Sequence, residues 1–387
     1  GAGKTWVAAL AITKVAEQGV QSALMAPTEI LAVQHYHTLS ELLEPLQITT
    51  ALLTGSTKAA ERKKILGRLA DGSLTCLIGT HALITEDVHF ASLGLALVDE
   101  QHRFGVNQRW ALSEKGEGDT KAGAVHLLGM TATPIPRSLA LSLYGDLHLS
   151  IMRGMPPGRK PVETRVLAQQ KMGELAKGMQ RILDGAGRIY WIVPRIDEEE
   201  DGLSVDQRRE ALAGRFPNEK VTGLHGRMKS ADKQTALKAF ADGESRILVS
   251  TTVVEVGVDV PEARLIVIEQ ADQYGLAQLH QLRGRVGRSS EQGYAILIPG
   301  KEVSAVATQR LNALVKSHDG LELAEIDLQL RGGGDAVGIR QSGDAGFRVL
   351  DLCADIQLIQ HWHESFHGCV VSDEMVSFWR PSADSVD

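Results

Sequence analysis

Short apolar runs alternate along most of the chain with longer stretches whose apolar positions recur every three or four residues. In the first part the runs are "SALMA" (22–26), "TCLIG" (75–79), "LALVDE" (95–100) and "AVHLLGMTAT" (124–133). Runs this short and this continuously apolar predict strands buried on both faces. Helical patterns lie between them, at 29–44 and 58–71. The rhythm then returns as "RIYWIV" (188–193), "RILVSTT" (246–252), "RLIVIEQ" (264–270) and "YAILIP" (294–299), with helices predicted at 171–184, 230–242 and 276–284. Strands alternating with helices predict parallel, doubly wound sheets, and two such units in tandem predict two α/β lobes with a cleft between them.

The two halves are separated by "RGMPPGRKP", whose three prolines and two glycines carry no apolar periodicity and read as a linker over 153–161. The expected organisation is therefore lobe 1 over 1–152, the linker, lobe 2 over 162–300 and a mostly helical region over 301–387. That last region is interrupted by "RGGGDAVGIRQSG" (331–343). The acidic "DEEEDG" (197–202) reads as a solvated loop.

Composition narrows the class. Hydrophobic residues make up 43% of the 387 positions and charged ones 23%, as in a globular protein with large cores. No run approaches the roughly 18 apolar residues that span a bilayer, and a reducing, cytosolic setting is expected. Three cysteines (Cys76, Cys353, Cys369) without a CxxC pair predict neither a disulfide framework nor a zinc knuckle. The net charge of −7 argues against coating nucleic acid by bulk electrostatics, yet leaves room for local grips on phosphate.

Three stretches carry chemistry. The chain opens "GAGKT", the end of the G-x-x-x-x-G-K-[ST] pattern in which backbone N–H groups wrap phosphates, a lysine reaches their oxygens and a hydroxyl binds Mg²⁺. Gly1, Gly3, Lys4 and Thr5 would fill these places, and the helix that follows would add its N-terminal dipole. A glycine-rich helix start is the plainer reading of the same residues. Next, "LALVDEQH" delivers Asp99 and Glu100 at the end of a predicted strand, where ligands of open parallel sheets bind. Asp99 suits Mg²⁺ and Glu100 suits the base that activates water, although an acidic turn before a helix would look similar. Finally, "QLRGRVGR" (281–288) gathers arginines that repel one another unless an anion faces them. Arg285 and Arg288, three apart, are expected on one helical face as arginine fingers toward a γ-phosphate; a solvated basic face is the alternative.

Taken in order, these blocks resemble superfamily-2 helicases, and within them the RecG family. "APTEILAVQH" (26–35), "GTHAL" (79–83), "DEQHRFGV" (99–106) and "TATPIPR" (131–137) match the first-lobe motifs. "LHGRM" (224–228), "TTVVEVGVDVP" (251–261) and "GLAQLHQLRGRVGR" (275–288) match the second. "DLQLRGGGDAVGIRQSG" (327–343) resembles a translocation motif shared with the Mfd-type transcription–repair coupling factors.

The resemblance implies two RecA-like lobes and an ATP-dependent DNA helicase that remodels stalled forks and Holliday junctions, with ATP and Mg²⁺ as cofactors. It implies that Gln281 joins Arg285 and Arg288 at the γ-phosphate, and that Asp259 helps close the nucleotide site. Thr131 and Thr133 would couple the lobes, Thr28, Thr54, Thr80, Thr251 and Thr252 would contact one strand's backbone, and Arg331 and Gln341 would belong to the translocation element. Branched DNA is the expected partner, with single-strand-binding protein at forks, and the protein is expected to be a monomer. Gln101, His102 and His280 favour this family over the coupling factors. A coupling translocase or a silent DNA-binding fragment remain the alternatives.

A tail pattern, "HWHESFHGC", sets His363 and His367 four apart with His361 and Cys369 near; it could hold zinc but suits an amphipathic helix better. The chain begins inside the phosphate loop. These residues are therefore expected to be a piece of a longer protein, with an incomplete cradle and little ATP turnover of their own.

Overall fold

The computed structural model describes residues 3–101, 104, 111–112, 115, 124–132, 148–152, 154, 158–194, 204–251, 260–331, 361 and 365. By contact the chain divides into two units, Gly1–Pro134 with Met152–Leu323, and Ile135–Ile151 with Ala324–Asp387. The first unit holds two parallel sheets. Most of the second lies outside the described residues; the end of the last helix, beyond Leu323, belongs to it.

The first sheet has five strands in the order β2-β3-β1-β4-β5, all parallel: β1 Gln21–Met25, β2 Thr50–Leu53, β3 Cys76–Gly79, β4 Leu93–Asp99 and β5 His126–Met130. Helices α1 (Lys4–Ala16) and α2 (Glu29–Leu43) cover one face, where Ile12, Leu24, Leu39, Ile78 and Leu97 form a core. Helix α3 (Ala59–Ala70) covers the other, with Met25, Leu53, Leu69, Leu77 and Val98. Because successive strand residues point to opposite faces, a strand between two helical layers must be apolar throughout. All seven residues of β4 are accordingly buried. Gln21 is a buried polar exception. Its amide donates to the carbonyls of Leu69 (2.9 Å) and Leu74 (2.7 Å) and accepts from the Ser92 N–H (2.9 Å), so both its nitrogen and its oxygen are partnered.

The second sheet runs β6-β11-β10-β7-β9-β8, again parallel: β6 Glu163–Val166, β7 Arg188–Ile192, β8 Val221–Leu224, β9 Ile247–Ser250, β10 Ala263–Glu269 and β11 Tyr294–Ile298. Its helices are α4 (Met172–Asp184), α5 (Val205–Arg215), α6 (Ser230–Ala241) and α7 (Leu276–Arg283), followed by α8 (Ala305–Lys316) and α9 (Gly320–Arg331). Read from β8, this order repeats that of the first sheet and adds β6 at the far edge.

The repetition extends to sequence. Residues 53–80 and 224–251 align without a gap, sharing L-x-G-x-x-K-x-A at the start of α3 and α6 and A-D-G at their ends. Gly72 (φ 81°) and Gly243 (φ 82°) terminate the two helices in the left-handed region. The Thr80 N–H reaches Leu53 O at 3.4 Å and the Thr251 N–H reaches Leu224 O at the same distance.

Candidate nucleotide and nucleic-acid site

Parallel strands place all their carboxyl ends on one edge. In the first sheet the register pairs Met25 with Gly79 and Val98, Leu53 with Gly79, and Asp99 with Met130. Thr28, Thr54, Thr80, Glu100 and Thr131 therefore leave the sheet on the same side, in the loops after β1, β2, β3, β4 and β5.

At this edge the chemistry converges. Gly3, at φ 95°, turns the chain into α1, a conformation open to glycine because it has no Cβ. Lys4 and Thr5 form the first turn, where backbone N–H groups lack helical partners. The Lys4 ammonium stands 3.9 Å from Asp99 Oδ1 and 3.9 Å from Glu100 Oε1. His35 Nε2, from α2, donates to Asp99 Oδ2 at 2.7 Å. Burial alone would raise the Asp99 pKa; the His35 hydrogen bond and the nearby positive charges outweigh it and hold the carboxyl below its ordinary value. Glu100 adopts φ 50°, a left-handed geometry costly for a residue with a side chain. That turn directs Glu100 away from the strand, and its Oε2 accepts the Ala132 N–H at 3.2 Å, joining the β4 and β5 loops.

The donor set fits a magnesium ion with phosphates. Mg²⁺ is held by one or two carboxylates plus substrate oxygens rather than by a protein cage. Among the described residues no group of three His, Cys, Asp or Glu side chains forms such a cage, whereas an ionised Asp99 beside Lys4 and a helix N-terminus is present.

The predicted threonines differ in their surroundings. The Thr28 hydroxyl caps α2 by accepting the Leu31 N–H at 3.3 Å. Thr54 Oγ1 lies 2.9 Å from Ser56 Oγ. Among the described residues the buried Thr80 and Thr251 hydroxyls, at equivalent places in the two sheets, have no hydrogen-bond partner.

Gln281 lies on α7, but α7 ends at Arg283 with Gly284 as its cap. Arg285 and Arg288 are thus in the turn beyond it and not on one helical face, because the chain must pass through Gly287 at φ 65°. Arg288 Nε donates to Gly284 O at 3.2 Å. Arg283, between Gln281 and Arg285 in sequence, has a structural place. It is buried and donates to Leu314 O and Ser317 O, both at 2.8 Å, at the carboxyl end of α8. Burial and the Arg283 charge push the His280 imidazole down to about 4, and the neutral ring accepts from Arg283 Nη2 at 2.9 Å.

Gly1, His102, Thr133, Thr252, Asp259 and Gln341 lie outside the described residues, as do Cys353, His363, His367, Cys369 and the acidic run 197–202. Arg331 ends α9, its side chain undescribed. Sequence reasoning passed over His35. Its signal was the helical spacing from Thr28, which brings the α2 face carrying it over the end of β4.

Comparison with known proteins shows what the chain is similar to. Residues 1–141 match the DEAD/DEAH box helicase family, 177–290 the helicase conserved C-terminal domain, and 317–382 the C-terminal part of domain 3 of the ATP-dependent DNA helicase RecG. The chain is 46% identical over 376 residues to the ATP-dependent DNA helicase RecG of Synechocystis, covering 96% of this chain and 44% of that protein. Against the Thermotoga maritima protein of the same name it is 45% identical over 364 residues, 93% of this chain and 46% of that one. Over more than nine tenths of its length the chain is similar to RecG-type superfamily-2 helicases. A solved structure described as RecG bound to a three-way DNA junction superposes with a TM-score of 0.74 at 41% identity, covering 93% of this chain and 46% of that one. Yeast Dbp5, with TM-score 0.55 at 16% identity over 85% of this chain and 86% of its own, shares the fold alone. The chain spans about half the length of the RecG proteins it matches. Among the described residues no helix is long and apolar enough to cross a membrane.

Proposed function

We propose that this chain is the motor of an ATP-dependent helicase that remodels branched DNA, with stalled forks and Holliday junctions as its substrates. The observation that carries the proposal is the Lys4 ammonium standing 3.9 Å from both Asp99 and Glu100 at the start of α1. A lysine and a helix N-terminus attract phosphate, and two carboxylates at its side fit a metal-assisted attack of water.

In this mechanism Gly3, the first N–H groups of α1 and Lys4 bind the phosphates. Thr5 and Asp99 hold Mg²⁺, which supplies charge neutralisation at the phosphate oxygens when bound. His35 fixes the Asp99 carboxylate so that its other oxygen stays toward Lys4. Glu100 orients the attacking water and takes its proton, and its bond to the Ala132 N–H carries the state of the site to the loop of Thr131. Gln281, Arg285 and Arg288 approach the γ-phosphate from the second sheet's side, and Asp259 helps close the nucleotide site. The loops of Thr28, Thr54, Thr80, Thr251 and Thr252 grip one strand through its phosphates, a contact without sequence preference that tolerates a net charge of −7. Arg331 and Gln341 belong to the element that pulls DNA.

The test uses the chain extended to the length of its relatives. ATP turnover should rise with a three-way junction well above its rise with linear duplex, and Lys4→Ala should abolish it. Turnover indifferent to branching would sink the proposal.

A further inference from the structure

The edge assigned to DNA carries a carboxylate that the mechanism leaves unused. Glu29 is the first residue of α2, next to the Thr28 cap. Its Oε1 accepts the Ser56 N–H at 3.1 Å and its Oε2 accepts the Ser56 hydroxyl at 3.1 Å. Ser56 Oγ in turn lies 2.9 Å from Thr54 Oγ1; with its own proton on Glu29, it accepts from Thr54. The turn is closed from within by the Thr54 N–H on Thr57 Oγ1 at 3.0 Å. β1 and β2 are not neighbours, since β3 lies between them. Glu29 therefore reaches past the end of β3 to tie the loop after β1 to the loop after β2.

A negative charge is unfavourable beside a phosphodiester backbone. A first-turn acid is favoured by the helix dipole, but only weakly when exposed. Neither effect requires the two-point grip on Ser56. That grip fixes the separation of the Thr28 and Thr54 loops, and repeated phosphates along a strand require a fixed separation.

We propose that Glu29 is a positioning residue for nucleic acid: a clasp that makes the Thr28 and Thr54–Thr57 loops a single phosphate-spaced surface. The inference rests on the reading of this edge as the DNA-binding face.

The sign of the effect on affinity tests it. If Glu29 were a bystander charge, removing it would leave DNA affinity unchanged or raise it. As a clasp, Glu29→Ala should weaken binding of the full chain to a fluorescent three-way junction by about tenfold, a coupling of roughly 1.4 kcal/mol. Ser56→Ala should weaken it in the same direction, and the double variant should be no worse than Glu29→Ala alone. Equal or tighter binding by Glu29→Ala, or additive losses, would overturn the clasp. Hydrogen exchange of the peptide containing Ser56 gives a readout without DNA and should quicken in Glu29→Ala; unchanged exchange would also overturn it. Wild-type chain that fails to bind the junction, with the exchange effect intact, would instead refute the DNA-binding reading.

Discussion

The ends of β4 and β10 occupy equivalent positions in the two sheets and share a backbone. Glu100 follows β4 at φ 50° and Gln270 follows β10 at φ 47°. Each strand ends in a carboxylate held by a nitrogen donor from the helix that follows the neighbouring strand. Asp99 receives His35 from α2, while Glu269 receives Arg208 from α5, with Nη2 at 2.7 Å. The chemistry then diverges. Asp99 keeps an oxygen facing Lys4 and gains a second carboxylate at Glu100. Glu269 is enclosed by Arg208 and by the Trp191 indole N–H, with the Arg208 guanidinium 5.3 Å from the centre of the Trp191 ring, and glutamine stands where Glu100 would be. The same turn thus supports an open carboxylate pair beside a lysine in one sheet and a closed cluster in the other. Side chains, and not the backbone strain they share, make the difference.

The largest effect should separate the two ends by activity. In the chain extended to its relatives' length, Glu100→Gln should lower ATP turnover by about 10²–10⁴, the usual contribution of a general base, while fluorescent nucleotide still binds. Glu269→Gln should leave turnover unchanged. Comparable losses in both would erase the distinction.

Stability should reverse the ranking. Arg208→Leu leaves Glu269 enclosed without its cation and should cost about 2–4 kcal/mol, somewhat below a fully buried pair because both side chains retain some solvent contact. His35→Leu leaves Lys4 facing Asp99 and should cost only about 1–2 kcal/mol. Urea unfolding of the chain measures both, and an Arg208 variant no weaker than the His35 variant would contradict the closed-cluster account.

The smallest effect concerns where the two sheets agree. Thr80→Val and Thr251→Val each replace a buried hydroxyl, without a partner among the described residues, by a methyl of similar size. Each should raise the melting temperature slightly, by about 0.5–1 kcal/mol of stability. A loss in either would mean that its hydroxyl is satisfied, for instance by a bound water.

How far the sequence could be read follows burial. The strands predicted from apolar runs coincide with β1, β3, β4, β5, β7, β9, β10 and β11 within a few residues. Those missed are β2, β6 and β8, each at a sheet edge and only partly buried. An edge strand meets fewer apolar neighbours, so "TALL", "ETRV" and "VTGL" carry too little signal in a local window. Helix α5 was missed for a related reason: "VDQRREALAGR" is mostly polar, and its order comes from the Ser204–Gln207 capping box and from Arg208 on Glu269. Arg285 and Arg288 were placed on a helix by their spacing, but the glycines at 284 and 287 end it first.

By itself the sequence determined the two parallel sheets and the order of the helicase motifs, and it singled out Lys4, Asp99 and Glu100, which the structure brings together with the lysine 3.9 Å from each carboxylate. Continuous apolar runs and motif spacing are local, so one dimension suffices to read them. Tertiary structure alone decided that His35 holds Asp99, that Glu29 ties the Thr28 and Thr54 loops, and that Arg283 is a buried cap on α8 rather than a third finger. Each of these depends on a side chain meeting a group from a distant part of the chain. Such meetings follow from strand order and helix placement, which no local pattern of residues encodes.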